Sequence, residues 1–358
     1  MKTTDLRRLR LLAQGIGHPV DDAGAVVSSL GAVQAQDYLA AVWAIGLRVV
    51  GATEEIIEQN VRDRKIVRTW SMRGTLHFVA PEDVRWMLAL LTPRLIAGAA
   101  TRHRQLELDE TVFSRSRALL EKALRGGKLL TRDAAYALLE RSRISCSGQR
   151  GYHILWKLSQ ESVLCCGPRE DRQPTFALLD EWVPQSRALE GDEALAEIAR
   201  RYFTGHGPAT LADFVWWTGL KVTEARRGLA VVAPELEKIH MDGENYWMSR
   251  SLIGTRTSVQ GVHLLPSFDE FLLGYKDRSA VLDPAHATGI VPGNNGMFLP
   301  MLVVDGKIVG TWKRAIGRRR VTVSLGSFGT LPKSRSRAIH AAAARYGEFL
   351  SLPLDIAV

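Results

Sequence analysis

A chain of 358 residues, 46% hydrophobic and 24% charged, is too long for one ordinary core and too apolar to be disordered, so two or three folded units are expected. The 47 lysines and arginines outnumber 38 acids for a formal charge of +9, which favours a polyanion as partner. No run approaches the ~18 apolar residues of a membrane-spanning helix, and MKTTDLRRLRLLAQGIG is too short in apolar residues for a secretory signal. With Cys146, Cys165 and Cys166 too few and too badly spaced for a disulfide framework, the expectation is a cytoplasmic protein with reduced, buried thiols.

The first segment, 1–110, opens with three helix-like stretches, TTDLRRLRLLAQ, DAGAVVSSLGAVQAQ and TEEIIEQNVRD. IVRTWSMRGTLHFV follows as two strands around Arg73-Gly74. Inside GAVQAQDYLAAVWAIGLR lie two amides, Gln34 and Gln36. In a helix, positions i and i+2 point about 200° apart, so the two can share a site only where the chain is extended or a helix ends. There they could hold a water and a sugar or base edge without ionising. Periodicity alone instead spends one on a helix end and turns the other to solvent.

Segment 111–188 reads as three helices, FSRSRALLEKALRGG, LLTRDAAYALLERS with Thr131 as N-cap, and QRGYHILWKLSQES, then the hairpin VLCCGPRE with TFALLDEWVP. Segment 189–252 repeats the order with DEALAEIARRYFTGHG, PATLADFVWWTGL starting at Pro208, KVTEARRGLAVV, and a hairpin turning at Asp242-Gly243. Three helices and a hairpin form a winged helix, whose last helix enters a groove. That places Gln149, Arg150 and His153 at one candidate DNA face, and Arg226 and Arg227 at another. The remainder, 253–358, reads as strands in VHLLPSFDEFLLGYKDR, MFLPMLVVDGKIVGTWKR and RRVTVSLGSF with an Asp305-Gly306 turn, closed by the helix PKSRSRAIHAAAARYGEFLS. The basic groups Arg102–Arg104 and Lys313 with Arg314 and Arg318–Arg320 favour nucleic acid.

Other chemistries lack their motifs. Nine scattered histidines form no HExxH or paired CxxC, so no metal and no cofactor is expected. Neither a phosphate-binding GxxxxGK[ST] nor a GxSxG nucleophile elbow is present. Asp37, Asp269, Glu270 and Asp277 are carboxylates near special sequence, and none is catalytic on spacing alone.

Taken together, AVQAQDYLAAVWAIGLR, RTWSMRGTLHFVAPEDVRWML and LLPSFDEFLLGYKDR resemble the AlkZ/YcaQ-type DNA glycosylases over nearly the whole chain. The resemblance implies a helix-dominated α+β fold of three tandem winged-helix units in a C-shaped arrangement, with a C-terminal β-rich portion. It implies a monomeric, monofunctional enzyme that releases cationic alkylated purines from double-stranded DNA, N7-alkylguanine above all, with crosslinks and bulky natural-product adducts as further substrates. The family's polar pair falls on Gln34 and Gln36, as in the AlkZ-like branch, and Asp37 stands one place too late for the aspartate of the other branch. Arg73 and His77 then face DNA or the site, and Lys313 and Arg314 hold phosphates. A winged-helix regulator without catalysis, and a protein that merely sequesters a toxic natural product, are the rival readings.

Overall fold

The computed structural model describes residues 2–255, 261–294, 296–331 and 333–357, with helices and strands mixed throughout. The chain forms two compact units, one from Met1–Ile57 with Leu195–Val358, the other from Glu58–Ala194.

Two-residue turns set the hairpins. Tight antiparallel connections need a left-handed backbone at both central residues, which Asn, Asp and Gly tolerate best. Arg73-Gly74 meets this with φ of 50° and 73°, Asp242-Gly243 with 51° and 82°, and Asp305-Gly306 with 50° and 77°. They join Val67–Met72 to Thr75–Val79, Leu236–Met241 to Glu244–Ser249, and Met301–Val304 to Lys307–Ile316.

In the second unit the helices Glu110–Leu124, Arg132–Arg141 and Arg150–Gln160 precede the hairpin Leu164–Glu170 with Gln173–Leu178, the expected order. Thr131 caps the middle helix by accepting the Ala134 N–H at 3.1 Å. Arg68 on strand Val67–Met72 pairs with Cys166, so the hairpins of segments 1–110 and 111–188 join in one sheet. Beneath it Trp70, Leu120, Leu139, Ile154, Leu158, Leu164 and Phe176 form a core. Cys166 is a free thiol in this core and Cys165, its neighbour on the strand, is a buried free thiol outside it; burial pushes both above their usual range.

In the first unit a sheet runs Leu354–Ala357, Val321–Ser327, Lys307–Ile316, Met301–Val304, Val262–Leu265, its first pair parallel. Helix Ser336–Phe349 lies on it, and helix Tyr38–Gly46 docks on that helix through Trp43, 5.1 Å from the Tyr346 ring and 4.9 Å from Phe349. Close approach there requires Gly46, where a Cβ would stand 2.3 Å from the Phe349 ring. The Trp43 indole N–H donates to the Leu264 carbonyl at 2.8 Å, which ties the glutamine-bearing segment to the C-terminal sheet.

Three expectations change. The stretch DAGAVVSSLGAVQAQ is helical only over Ala23–Leu30, because Gly31 adopts φ 74° and Val33–Gln34 is extended. Helix Leu211–Thr218 starts past Pro208, where Thr210 and Asp213 cap each other reciprocally at 3.1 and 3.0 Å. After strand Val262–Leu265, SFDEFLL is a turn and the short helix Glu270–Leu273, with Phe268 at φ 60° and the Asp269 side chain accepting the Phe271 N–H. That turn separates two adjacent acids into different surroundings.

Candidate active site

Gln34 ends the two-residue strand Val33–Gln34 and Gln36 stands in the bend that follows it, between helices Ala23–Leu30 and Tyr38–Gly46. Neither is the helix cap that periodicity assigned to one of them. Asp37 takes that role, its Oδ1 accepting the Ala40 N–H at 3.1 Å while Oδ2 accepts the Ser267 hydroxyl at 3.1 Å. Because a carboxylate caps better than an amide and carries the charge the helix N-terminus attracts, both glutamines are spared. Gln34 is buried at 7% exposure, Ala35 is fully enclosed, and Gln36 is exposed. The link therefore presents one amide from the interior and the next at the surface.

Behind Gln34 stands Glu270, 1% exposed. Its Oε1 accepts the Gln34 main-chain N–H at 3.2 Å, and Oε2 accepts the Trp217 indole N–H at 2.9 Å. His206 places Nε2 3.3 Å from the same Oε2. Asp269 faces the other way, clamped by both terminal nitrogens of Arg48 at 2.9 Å each. Asp277 is exposed and accepts the Ser279 N–H at 2.9 Å, a local turn bond rather than an ion pair with its basic neighbours. Each sequence-flagged acid thus has a structural partner in hand. Sequence reasoning missed His206, Trp217, Gln14 and Arg48, which reach these acids from distant segments and share no spacing with them.

Arg314, half-buried on strand Lys307–Ile316, lies 3.7 Å from Asp37 Oδ1 and donates to the Tyr346 hydroxyl at 3.1 Å. Lys313 alternates to the other face and is exposed. In the turn from Lys307–Ile316 to Val321–Ser327, Arg318 and Arg319 are exposed, and Arg320 reaches Asp355 at 2.8 Å.

In the second unit, His77 is fully buried under the Arg73-Gly74 turn. Its Nδ1–H donates to the Thr75 carbonyl at 2.9 Å, which leaves Nε2 to accept from the Arg73 guanidinium at 3.3 Å. Burial first, then the Arg73 charge, hold the imidazole well below its ordinary 6.5, against the opposite pull of Thr75. His77 is thus a neutral support for Arg73 with no surface of its own. The folded state keeps it neutral while the unfolded chain takes up a proton below 6.5, so its stability contribution is complete above that pH and is lost as pH falls. The urea midpoint is expected to drop between pH 7.5 and 5.5 by less in His77→Gln than in the parent.

Gln149 is exposed at the start of helix Arg150–Gln160, in the left-handed region at φ 78°, and accepts from Arg102 at 2.9 Å. Arg150 donates to the carbonyls of Ser145, Leu106 and Glu107, joining the helix start both to its preceding loop and to the turn ahead of helix Glu110–Leu124. Among the described residues no three His, Cys, Asp or Glu side chains gather as a metal site, and no helix is long and apolar enough to cross a membrane.

Comparison with known proteins places the whole chain in a family. The AlkZ-like DNA glycosylase family matches residues 27–349. A curated Streptomyces sahachiroi protein described as an interstrand DNA cross-link repair glycosylase is 29% identical over 318 residues, which is 81% of this chain and 82% of that protein. The solved structure of Streptomyces sahachiroi DNA glycosylase AlkZ superposes with a TM-score of 0.78 at 24% identity, covering 100% of both chains.

Proposed function

The chain belongs to the AlkZ-like DNA glycosylase family, and from that premise we propose that it hydrolyses the N-glycosidic bond of cationic alkylated purines in double-stranded DNA. N7-alkylguanine is the primary substrate class. Interstrand crosslinks extend it, since the 29% identical relative is described as repairing them. The observation that carries the reading is the pair of uncharged amides in the non-helical link, with Asp37 engaged as a helix cap and Glu270 turned to the backbone of Gln34.

Alkylation at N7 makes guanine cationic, so the bond from N9 to C1′ breaks with its electron pair passing to the base, which leaves neutral without added acid. The sugar becomes oxocarbenium-like, water adds at C1′, and its proton passes to solvent. The protein must place the water and stabilise positive charge, which the oxygens of Gln34 and Gln36 do by orientation and dipole rather than by proton abstraction. A weak acceptor suffices for a reactive substrate and leaves neutral, undamaged bases alone.

In this reading segments 1–110, 111–188 and 189–252 act as three winged-helix units that grip the duplex, each with helices ahead of a hairpin, the first being divided at Ile57 between the two compact units. Arg73, braced by His77, together with Gln149, Arg150, Lys313 and Arg314, contributes to that grip. The protein acts as a monomer without a cofactor. A regulator without catalysis is not favoured by the family match.

The test is base release from duplex DNA carrying N7-methylguanine, followed by chromatography of the free base at a temperature where spontaneous depurination is slow. Release no faster than in the absence of protein overturns the reading. Arg318 and Arg319 supply phosphate contacts from an exposed tip. Each phosphate neutralised contributes about 0.9 to the slope of log affinity against log salt. Arg318→Ala with Arg319→Ala is expected to flatten that slope by about 2 on undamaged duplex, read by fluorescence anisotropy.

A further inference from the structure

We propose that Glu270 is a positioning residue for Gln34, acting from behind the strand through the main chain; the inference rests on the reading of Gln34 as a catalytic amide. Strand Val33–Gln34 is only two residues long, which is too short to hold a side chain in register by its own ladder. Glu270 adds a constraint from the main-chain side. Oε1 takes the Gln34 N–H at 3.2 Å, and Oε2 is fixed by the Trp217 indole N–H at 2.9 Å and by His206 Nε2 at 3.3 Å. These come from three segments distant in the chain, so their meeting is a property of the folded unit.

The socket is built to keep that carboxylate still. The His206 ring stacks on Tyr202 at 4.8 Å between centroids, and Gly274 lets it approach, since a Cβ there would lie 2.7 Å from the ring. Trp217 is fully buried, and Gly31, where the chain turns toward Gln34, would place a Cβ 3.2 Å from its ring. The Glu270 main-chain carbonyl accepts from Gln14 Nε2 at 3.3 Å, which anchors the acid at its other end. Both carboxylate oxygens face N–H donors, and the Gln34 amide and Trp217 indole can only donate. Glutamine at 270 cannot reproduce this, because its NH₂ must oppose either the Gln34 N–H or the Trp217 N–H. Glu270→Gln therefore keeps the volume and breaks the register.

The test is a double-mutant cycle on single-turnover excision of N7-methylguanine, using Gln34→Ala, Glu270→Gln and the two combined. Glu270→Gln is expected to slow excision about 10- to 100-fold, the scale of a small misplacement at a reacting centre. Affinity for duplex DNA should stay within about twofold, because no DNA-contacting group is altered. The double variant should be no slower than Gln34→Ala alone, as required when one residue works only through the other. Excision at the parent rate in Glu270→Gln, or losses that multiply in the double variant, overturns the proposal while leaving Gln34 catalytic. A Gln34→Ala protein that excises at the parent rate instead refutes the reading of Gln34 and removes the role proposed for Glu270 with it. If Glu270→Gln melts below the assay temperature, Trp217→Phe, which removes one donor and keeps an aromatic ring, replaces it in the cycle with the same two criteria.

Discussion

Asp269→Ala is expected to destabilise the first unit by about 3–5 kcal/mol, the cost of stripping the partner from a buried charge. Arg48 is 2% exposed and spends its guanidinium on Asp269 through two bonds of 2.9 Å, on the Gln14 carbonyl at 2.8 Å and on the Ala44 carbonyl at 2.7 Å. Removing the carboxylate leaves a full positive charge in the interior with only dipoles around it. Arg48 sits just past the end of helix Tyr38–Gly46, so the loss falls on the element that follows the glutamines. The measurement is the urea midpoint followed by tryptophan fluorescence and far-ultraviolet circular dichroism, with the two probes compared because two units need not unfold together. Arg48→Met combined with Asp269→Leu should lose much less than Asp269→Ala, since an apolar pair carries no unpaired charge. Equal losses in both would show that shape rather than charge governs this site.

What was legible in the sequence was local. Arg73-Gly74, Asp242-Gly243 and Asp305-Gly306 announced three hairpins because a two-residue turn needs left-handed backbone at both positions. Thr131 announced a helix start because its hydroxyl answers an N–H that has no other partner. Gln34 and Gln36 could be singled out only through resemblance to a family, since a two-residue strand leaves no alternation to read. The stretch DAGAVVSSLGAVQAQ carried a helical period past the point where Gly31 ends the helix.

The surroundings of Gln34 were illegible for a different reason. Glu270 meets Gln34 across 236 positions, His206 across 64 and Trp217 across 53. Contacts of that range leave no period. In SFDEF the two acids look interchangeable, and only the left-handed backbone of Phe268 and the cap at Asp269 send one toward Arg48 and the other toward Gln34. His77 shows the same limit, since its sequence position suggests contact with DNA and its burial makes it a brace for the residue that could make that contact.

Gln34→Ala is expected to lower the single-turnover rate of N7-methylguanine release by about 10²–10³, the range for removing one preorganised dipole from a charge-developing centre. The bond to Glu270 survives the substitution because it uses the main-chain N–H, which alanine retains. Helix capping is also untouched, since that belongs to Asp37. Gln36→Ala should cost less, because an exposed amide competes with solvent for the same water, whereas an amide 7% exposed works where water cannot replace it. Affinity for undamaged duplex should hold in both variants, as neither amide carries the charge that attracts phosphates. A rate in Gln34→Ala within about threefold of the parent, with unchanged folding, would mean that the buried amide supplies no transition-state stabilisation, and the catalytic burden would pass to Gln36 and the groups that face it.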